Sequence, residues 1–320
     1  MRAPPPPVPE AQAILSAMRD VAGLGRDLTE ADEASLVAAG HWMFGLQEAI
    51  NPVALPPTDP VRLSSAVTDP DRRREAVSFI TIMAFVDGTL DKAKMDRALA
   101  YAGALGISGD YVDEIAEAAD GHVKRALGHM VRDNMESITG KPWAADGDVM
   151  AWLLPYSGDK ADPALAARFR ALSGKPEGTF GRAFIDHFAE NGYAVPGEPD
   201  ALNAAFSLPH DSSHVFSDYD TSPRGELLVS TFTAGMHPFH PVSGHILPVI
   251  FSWHLDIKIN DVAKSAKGAM DPSEFWHAWA RGKAMTIDIF GSDWDFWSWT
   301  DEPLDALRTR YLGEGVASRE

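Results

Sequence analysis

The stretch Arg72 to Val86, RRREAVSFITIMAFV, constrains the fold more than any other. Past its three arginines it is apolar over most of a helical surface, as a helix packed on several sides must be. DGTLD follows, a turn that ends in a helix N-cap at Asp91. Met95, Leu99 and Ala102 then fall at i, i+4 and i+7 on one helical face, and Gly106 closes the element. The next segment, SGDYVDEIAEAADGHVKRALGHMVRDNM, carries a further stripe of Val112, Ile115, Ala119, Ala126 and Met130. Alternating runs rich in β-branched residues, the mark of strands, are nearly absent. The chain is therefore expected to be all-α.

The helical pattern lapses at residues 137–147, SITGKPWAADG, which hold glycine and proline but no stripe. That break predicts two helical domains, 29–140 and 141–320, behind a proline-rich tail and leading helix over 1–28. The pattern resumes at Ala164 to Leu172, behind Asp162-Pro163, a cap followed by proline at the first helical position. PEGTFGRAFIDHFAENG reads as a turn, a helix and a glycine stop. DPSEFWHAWARGKAMTIDIFG reads as a helix capped by Asp271, begun by Pro272, boxed by Glu274 and ended by Gly291.

Composition narrows the function. The 320 residues are 45% hydrophobic, enough for a sizeable core, and carry a net charge of −18. So acidic a surface repels phosphate backbones and argues against a nucleic-acid partner. There is no cysteine, so any transition metal must be held by His, Asp and Glu. A cytoplasmic setting is consistent with that. MRAPPPPVPE has no apolar core of a secretion signal, and Pro4 to Pro7 favour a polyproline II tail. The longest apolar run, Ile246 to Trp253, falls well short of the roughly 20 residues of a membrane span. The expected location is the cytoplasm, with peripheral contact at the inner face of a membrane as its lipid-facing form.

The segment PHDSSHVFSDYDTSPRGELL, Pro209 to Leu228, is the candidate site. His210 and His214 stand four apart, so on a helix both imidazoles leave one face at the separation of a ligand pair. Asp211 is rotated by about 100° from His210 and can reach the same ion from the side or orient a ligand. Pro223 suits the start of a second helix, and Glu226 lies in its first turn, with eleven residues between it and His214. A helix–loop–helix hairpin would fold Glu226 over the histidine pair. The donors are hard and borderline, suited to Zn, Mn or Fe. On spacing alone, a metal site and a polar turn both remain open. Arg224 is either a contact for a substrate carboxylate or a residue of the helix start.

The surroundings weigh on that choice. HDxxH, eleven residues, then Glu resembles the hallmark of the COQ4 family of ubiquinone-biosynthesis proteins, with His210, Asp211, His214 and Glu226 at the matching positions. Upstream, PEGTFGRAFIDHFAENGY looks like that family's segment ahead of the motif. Downstream, WARGKAMTIDIFGSDWDFWSWTDEPLDALRTRYLG looks like its closing helix, Asp-Trp turn and terminus. The resemblance covers about 146–313. It implies a divalent metal and oxidative decarboxylation and hydroxylation of a polyprenylated aromatic ring. The alternatives are a non-catalytic lipid-binding scaffold for quinone-biosynthesis enzymes, a role also attached to that family, and a metal- or stress-responsive regulator. A homodimer is expected. The sequence departs from the family at Ser212 and Ser213, where a large residue is common, and at Asp218 and Asp220, where glycines are common.

The first half, about 29–138, resembles the TerB-like (tellurite-resistance) helical domains through FITIMAFVDGTLDKAKMDRALAYAGALGIS. Asp87 and Asp91 could join a metal site of the kind proposed for that family, but they read better as turn and cap residues. His237, His240 and His245 lie close in sequence, yet Pro238 and Pro241 argue against regular helical spacing there. They are expected in a loop or interface, and His277 as a packing residue. Six of the nine tryptophans fall between Trp253 and Trp299. The DWDFWSW cluster is too dense to bury every ring on one face, so it is expected partly to cover a groove or a subunit interface.

Overall fold

The computed structural model describes residues 5–144, 146–258 and 265–312. The described chain is all-α, as expected. Its first half is built from α1 (Val8–Ala22), α2 (Glu30–Trp42), α3 (Pro60–Ala66), α4 (Pro70–Ile82), α5 (Lys92–Leu105), α6 (Tyr111–Ala119) and α7 (Val123–Thr139). Its second half contains α8 (Val149–Leu153), α9 (Pro163–Arg170), α10 (Phe180–Asn191), α11 (Ala204–Ser217), α12 (Pro223–Met236), α13 (Leu247–Val249), α14 (Pro272–Ala284), α15 (Phe296–Trp299) and α16 (Leu304–Leu312). Among the described residues the only extended pairings are two isolated bridges, Thr179 with Pro303 and Leu255 with Lys267.

Local chemistry sets most of the boundaries. Thr29 and Asp32 form a reciprocal capping box at the start of α2. Asp91 accepts hydrogen bonds from the backbone N–H groups of Ala93 and Lys94, and Gly106 ends α5 in the left-handed conformation. Asp162 caps α9 and Gly192 stops α10, each where the sequence predicts it, and Thr179 caps α10. The stripe expected to run on from Val112 is split at Gly121, whose φ of +83° breaks it into α6 and α7.

Asp271 caps α14 as expected, but the helix ends at Ala284, not at Gly291. Met285 turns to φ −59°, ψ 135°, and the N–H of Thr286 donates to the Tyr311 carbonyl at 2.9 Å, drawing the chain to α16. Glu274 does not close a capping box; its carboxylate accepts from Arg224 Nε at 2.7 Å. The stretch after α12 also departs from expectation. Pro241 to Ile246 and Ile250 to His254 are π-helical turns flanking α13, so the prolines widen the helix there without abolishing it.

One buried cluster joins the two halves. It runs from Ile14, Leu36 and Phe79 to Leu227, Phe251 and Trp276. The α14 side chain Trp276 is fully buried, meets Phe79 edge-on at 5.2 Å and donates its indole N–H to Ser35 Oγ at 2.7 Å. A second cluster, from Phe169 and Phe184 to Phe296 and Leu307, lies wholly in the second half. α12 and α14 cross with backbones almost touching: a Cβ on Gly282 would lie 2.0 Å from the Phe232 carbonyl oxygen, and one on Gly235 2.4 Å from that of Trp279. The core is thus continuous across the break read at 137–147. α1, grouped with the tail from sequence, buries Ile14, Leu15 and Met18 in the bundle. Residues 1–4 of the expected polyproline tail lie outside the described residues; Pro7, at φ −55° and ψ 146°, has polyproline II geometry.

Candidate metal centre

The hairpin inferred from spacing is present. Asn203 caps α11, and Pro209 lies inside it, removing one backbone bond while leaving the helix to continue to Ser217. Ser213 and Ser217 donate to the carbonyls of Pro209 and Ser213, at 2.8 and 2.6 Å. Asp218 terminates α11 at φ +64°, and Asp220 Oδ1 accepts from the N–H and hydroxyl of Ser222. Ser222 then caps α12, with Pro223 at its first position. Gly225 makes the turn fit: a Cβ there would lie 2.0 Å from the Asp220 carbonyl oxygen.

This geometry brings His210, His214 and Glu226 together, with one ligand atom from each lying within 4.8 Å of the others. His210 Nε2 is 3.6 Å from Glu226 Oε2, and His214 Nε2 is 3.7 Å from Glu226 Oε1. These separations exceed a hydrogen bond. They match donors around one ion, since two atoms bound tetrahedrally at about 2.1 Å lie about 3.4 Å apart. His214 Nδ1 sits 2.9 Å from the Tyr219 carbonyl, which fixes the ring with Nδ1 as donor and Nε2 as a bare acceptor. That Nε2 is buried without a hydrogen-bond partner, and such an orphan costs stability unless something coordinates it. The donor set therefore fits a divalent cation.

Charge inside the cluster is mutually compensated. Burial pushes the His210 imidazole below its ordinary value. Burial acts the same way on His214, but Glu226 outweighs it and holds that ring above its ordinary value. Burial works to raise Glu226, and the two histidines overcome it and hold the carboxyl low.

The remaining sequence candidates sit elsewhere. Asp211 is buried on the flank of α11, its Oδ1 3.4 Å from His187 Nε2, and it stands outside the group of three. One residue along a helix is a rotation of about 100°, which turns Asp211 from the His210–His214 face toward His187. His187, on α10, escaped the sequence reading. Its ring stacks on His214 at 5.4 Å, and its Nε2 is a second buried atom without a hydrogen-bond partner. The signal for it was a histidine just beside the apolar stripe Phe180, Phe184, Phe188. Arg224 is half exposed and engaged by Glu274 and Asp271, at 2.7 and 3.0 Å; it ties α12 to α14 and does not line the cavity.

His210, Asp211 and Glu226 form part of the wall of a cavity of about 530 Å³. Most of the wall is apolar: Met135 and Ile138 from α7, Phe188 from α10, Phe206 from α11, and Trp253 and Phe290. Thr221, Ser230 and Thr233 add hydroxyls, and among the described residues no Lys or Arg lines it. The α7 wall comes from the half that sequence assigned to another domain. Trp294 and Trp297 line a separate groove of about 260 Å³, while Trp299 is buried. His277 stacks on Trp42 at 4.1 Å, a packing role as expected. Asp87 pairs with Lys94 and Arg26, again as a structural residue. His245 lines the cavity, with Nε2 2.6 Å from Ser137 Oγ, and burial pushes its imidazole down to about 3.

Among the described residues no helix is long and apolar enough to cross a membrane. Comparisons with protein-family models, curated proteins and solved structures returned no match. The COQ4 and TerB resemblances rest on the quoted motifs alone.

Proposed function

We propose that the chain is a COQ4-like, metal-dependent protein of quinone biosynthesis that acts on a prenylated aromatic ring. The observation that carries this reading is the opening of a two-histidine, one-carboxylate cluster onto a largely apolar cavity. His210, His214 and Glu226 would hold the ion, and a Zn, Mn or Fe cation would supply Lewis-acid stabilisation of negative charge on the ring substituents. The chain's own part is positioning. Phe188, Phe206, Trp253 and Phe290 offer aromatic contact to a ring, and Met135 and Ile138 offer a path for an isoprenoid tail. Thr221, Ser230 and Thr233 can orient ring hydroxyls. The reaction implied is replacement of a ring carboxylate by hydroxyl: the ring–carboxylate C–C bond breaks with loss of CO2, one oxygen atom of O2 forms the new C–O bond, and the other leaves as water with two electrons and two protons from an external two-electron reductant.

A non-catalytic lipid carrier within a quinone-biosynthesis assembly is the second reading. It is favoured by Arg224, which is engaged at the α12–α14 junction, so that among the described residues no Lys or Arg faces the cavity. Purified protein should carry stoichiometric metal that His214→Ala removes, and should consume a prenylated hydroxybenzoate with O2. Absence of metal from the wild type would overturn the metal-dependent reading. Metal and bound lipid without turnover would establish the carrier reading.

A further inference from the structure

A second cluster of donors lies away from that cavity mouth, where α6 and α7 meet the π-helical turn after α12. Asp110, Asp133 and His240 each offer a ligand atom, all within 4.8 Å of one another. His240 Nδ1 is 3.4 Å from Asp110 Oδ1 and 3.4 Å from Asp133 Oδ2. Its other nitrogen, Nε2, faces Glu136 Oε2 at 3.4 Å. A histidine whose far nitrogen is directed at a carboxylate presents its near nitrogen as a fixed donor, the arrangement that orients imidazole ligands on metals.

Two further observations point to a ligand. Glu114, on α6, is 2% exposed, and neither of its carboxyl oxygens has a hydrogen-bond partner. This carboxyl lies beside Asp133 and Asp110, with Arg132 also near, and burial together with those two carboxylates pushes it up to about 9, so it is protonated near neutral pH unless a cation takes the proton's place. The charges are also out of balance. Asp110, Asp133 and Glu136 face one arginine, Arg132, which engages only Oδ1 of Asp133 and leaves Oδ2 toward His240. Asp133 is buried, Glu136 partly exposed and Asp110 exposed, and a divalent cation between them would relieve their mutual repulsion. Asp110 and His240 both lie in the left-handed region, at φ +51° and +49°. Ser243 Oγ donates to Asp110 Oδ1 at 2.6 Å, and Asn134 Nδ2 to the Gly244 carbonyl at 2.7 Å.

We propose that Asp110, Asp133 and His240, with Glu114 and Glu136 around them, form a second divalent-cation site that clamps α6 and α7 to the turn following α12. One imidazole among carboxylates suits Mn2+ or Zn2+. The site is independent of the His210–Glu226 cluster. It ties the α7 wall of the cavity to the turn Pro241–Ile246, whose Gly244 and His245 also line that cavity.

The test uses the full chain carrying His214→Ala, which removes the first centre. Mn2+ is titrated into it and followed by the loss of free-ion EPR signal, with Zn2+ competition as a second probe. The expected result is one bound Mn2+ per chain, weakened by about tenfold or more on adding Asp133→Asn or His240→Ala. Asp110→Asn, on a partly exposed side chain, provides the variant least able to unfold the bundle, and circular dichroism checks each fold. No Mn2+ or Zn2+ bound by the His214→Ala chain, or binding indifferent to Asp110→Asn and His240→Ala, overturns the proposal. Failure of the first centre alone would leave wild-type and His214→Ala chains with the same single ion, so the two readings fail separately.

Discussion

The two donor clusters use the same chemistry and arrive at it by opposite routes. In the α11–α12 hairpin, His210, His214 and Glu226 lie within seventeen consecutive residues, and helix geometry alone assembles them. Around α6 and α7, Asp110 and Asp133 meet His240 across more than a hundred residues, and only the tertiary fold assembles them. In each, one histidine has one nitrogen directed at a protein acceptor, Tyr219 O or Glu136, and the other turned toward carboxylates. The hairpin cluster opens on an apolar cavity and has an opportunity for chemistry. The second sits among charges at a junction and has the setting of a structural tie.

The largest effect should separate these clusters by their local steric demands. Gly225→Ala places a Cβ against the Asp220 carbonyl, so the turn must move and Glu226 with it. It should abolish binding at the hairpin centre and cost about 1–3 kcal/mol in urea unfolding, while Mn2+ binding at the α6–α7 cluster persists. Glu226→Gln keeps the shape and removes the charge. It should weaken the hairpin centre by more than about 100-fold, beyond the range of losses outside the ligand shell, as read by chelator competition. Asp211→Asn tests the displacement of Asp211 to His187. As an orienting residue it should cost about tenfold in metal affinity; a loss as large as that of Glu226→Gln would make it a ligand.

Smaller effects should leave both clusters intact. Burial pushes the His277 imidazole from 6.5 down to about 4. Between those values the unfolded chain binds the proton that the folded chain refuses, so stability falls as pH drops through that window. His277→Gln should flatten the urea midpoint against pH there, with metal content unchanged. Arg224→Ala removes an exposed double ion pair and should cost under about 1 kcal/mol, again with no change in metal content.

Legibility in the sequence followed the range of the interactions. Caps at Asp91, Asp162, Thr179, Ser222 and Asp271 are short-range events, and the helices they begin were readable. The hairpin triad was readable for the same reason. Asp211 was readable as a neighbour of the site but not as the partner of His187, because that pairing depends on how α10 packs on α11. The break at 137–147 was a true local lapse of pattern, yet Trp276 and Phe79 show that burial ignores it. The helical character of 241–254 was masked by Pro241 and Pro248, which the π-helical turns accommodate. The α6–α7 cluster left no trace in spacing at all.

The most direct measurement is anomalous diffraction from crystals of the full-length chain equilibrated with Zn2+. The account predicts a peak flanked by His210 Nε2, His214 Nε2 and the Glu226 carboxylate, facing the apolar cavity. Fully loaded crystals with no density between those three side chains would contradict it.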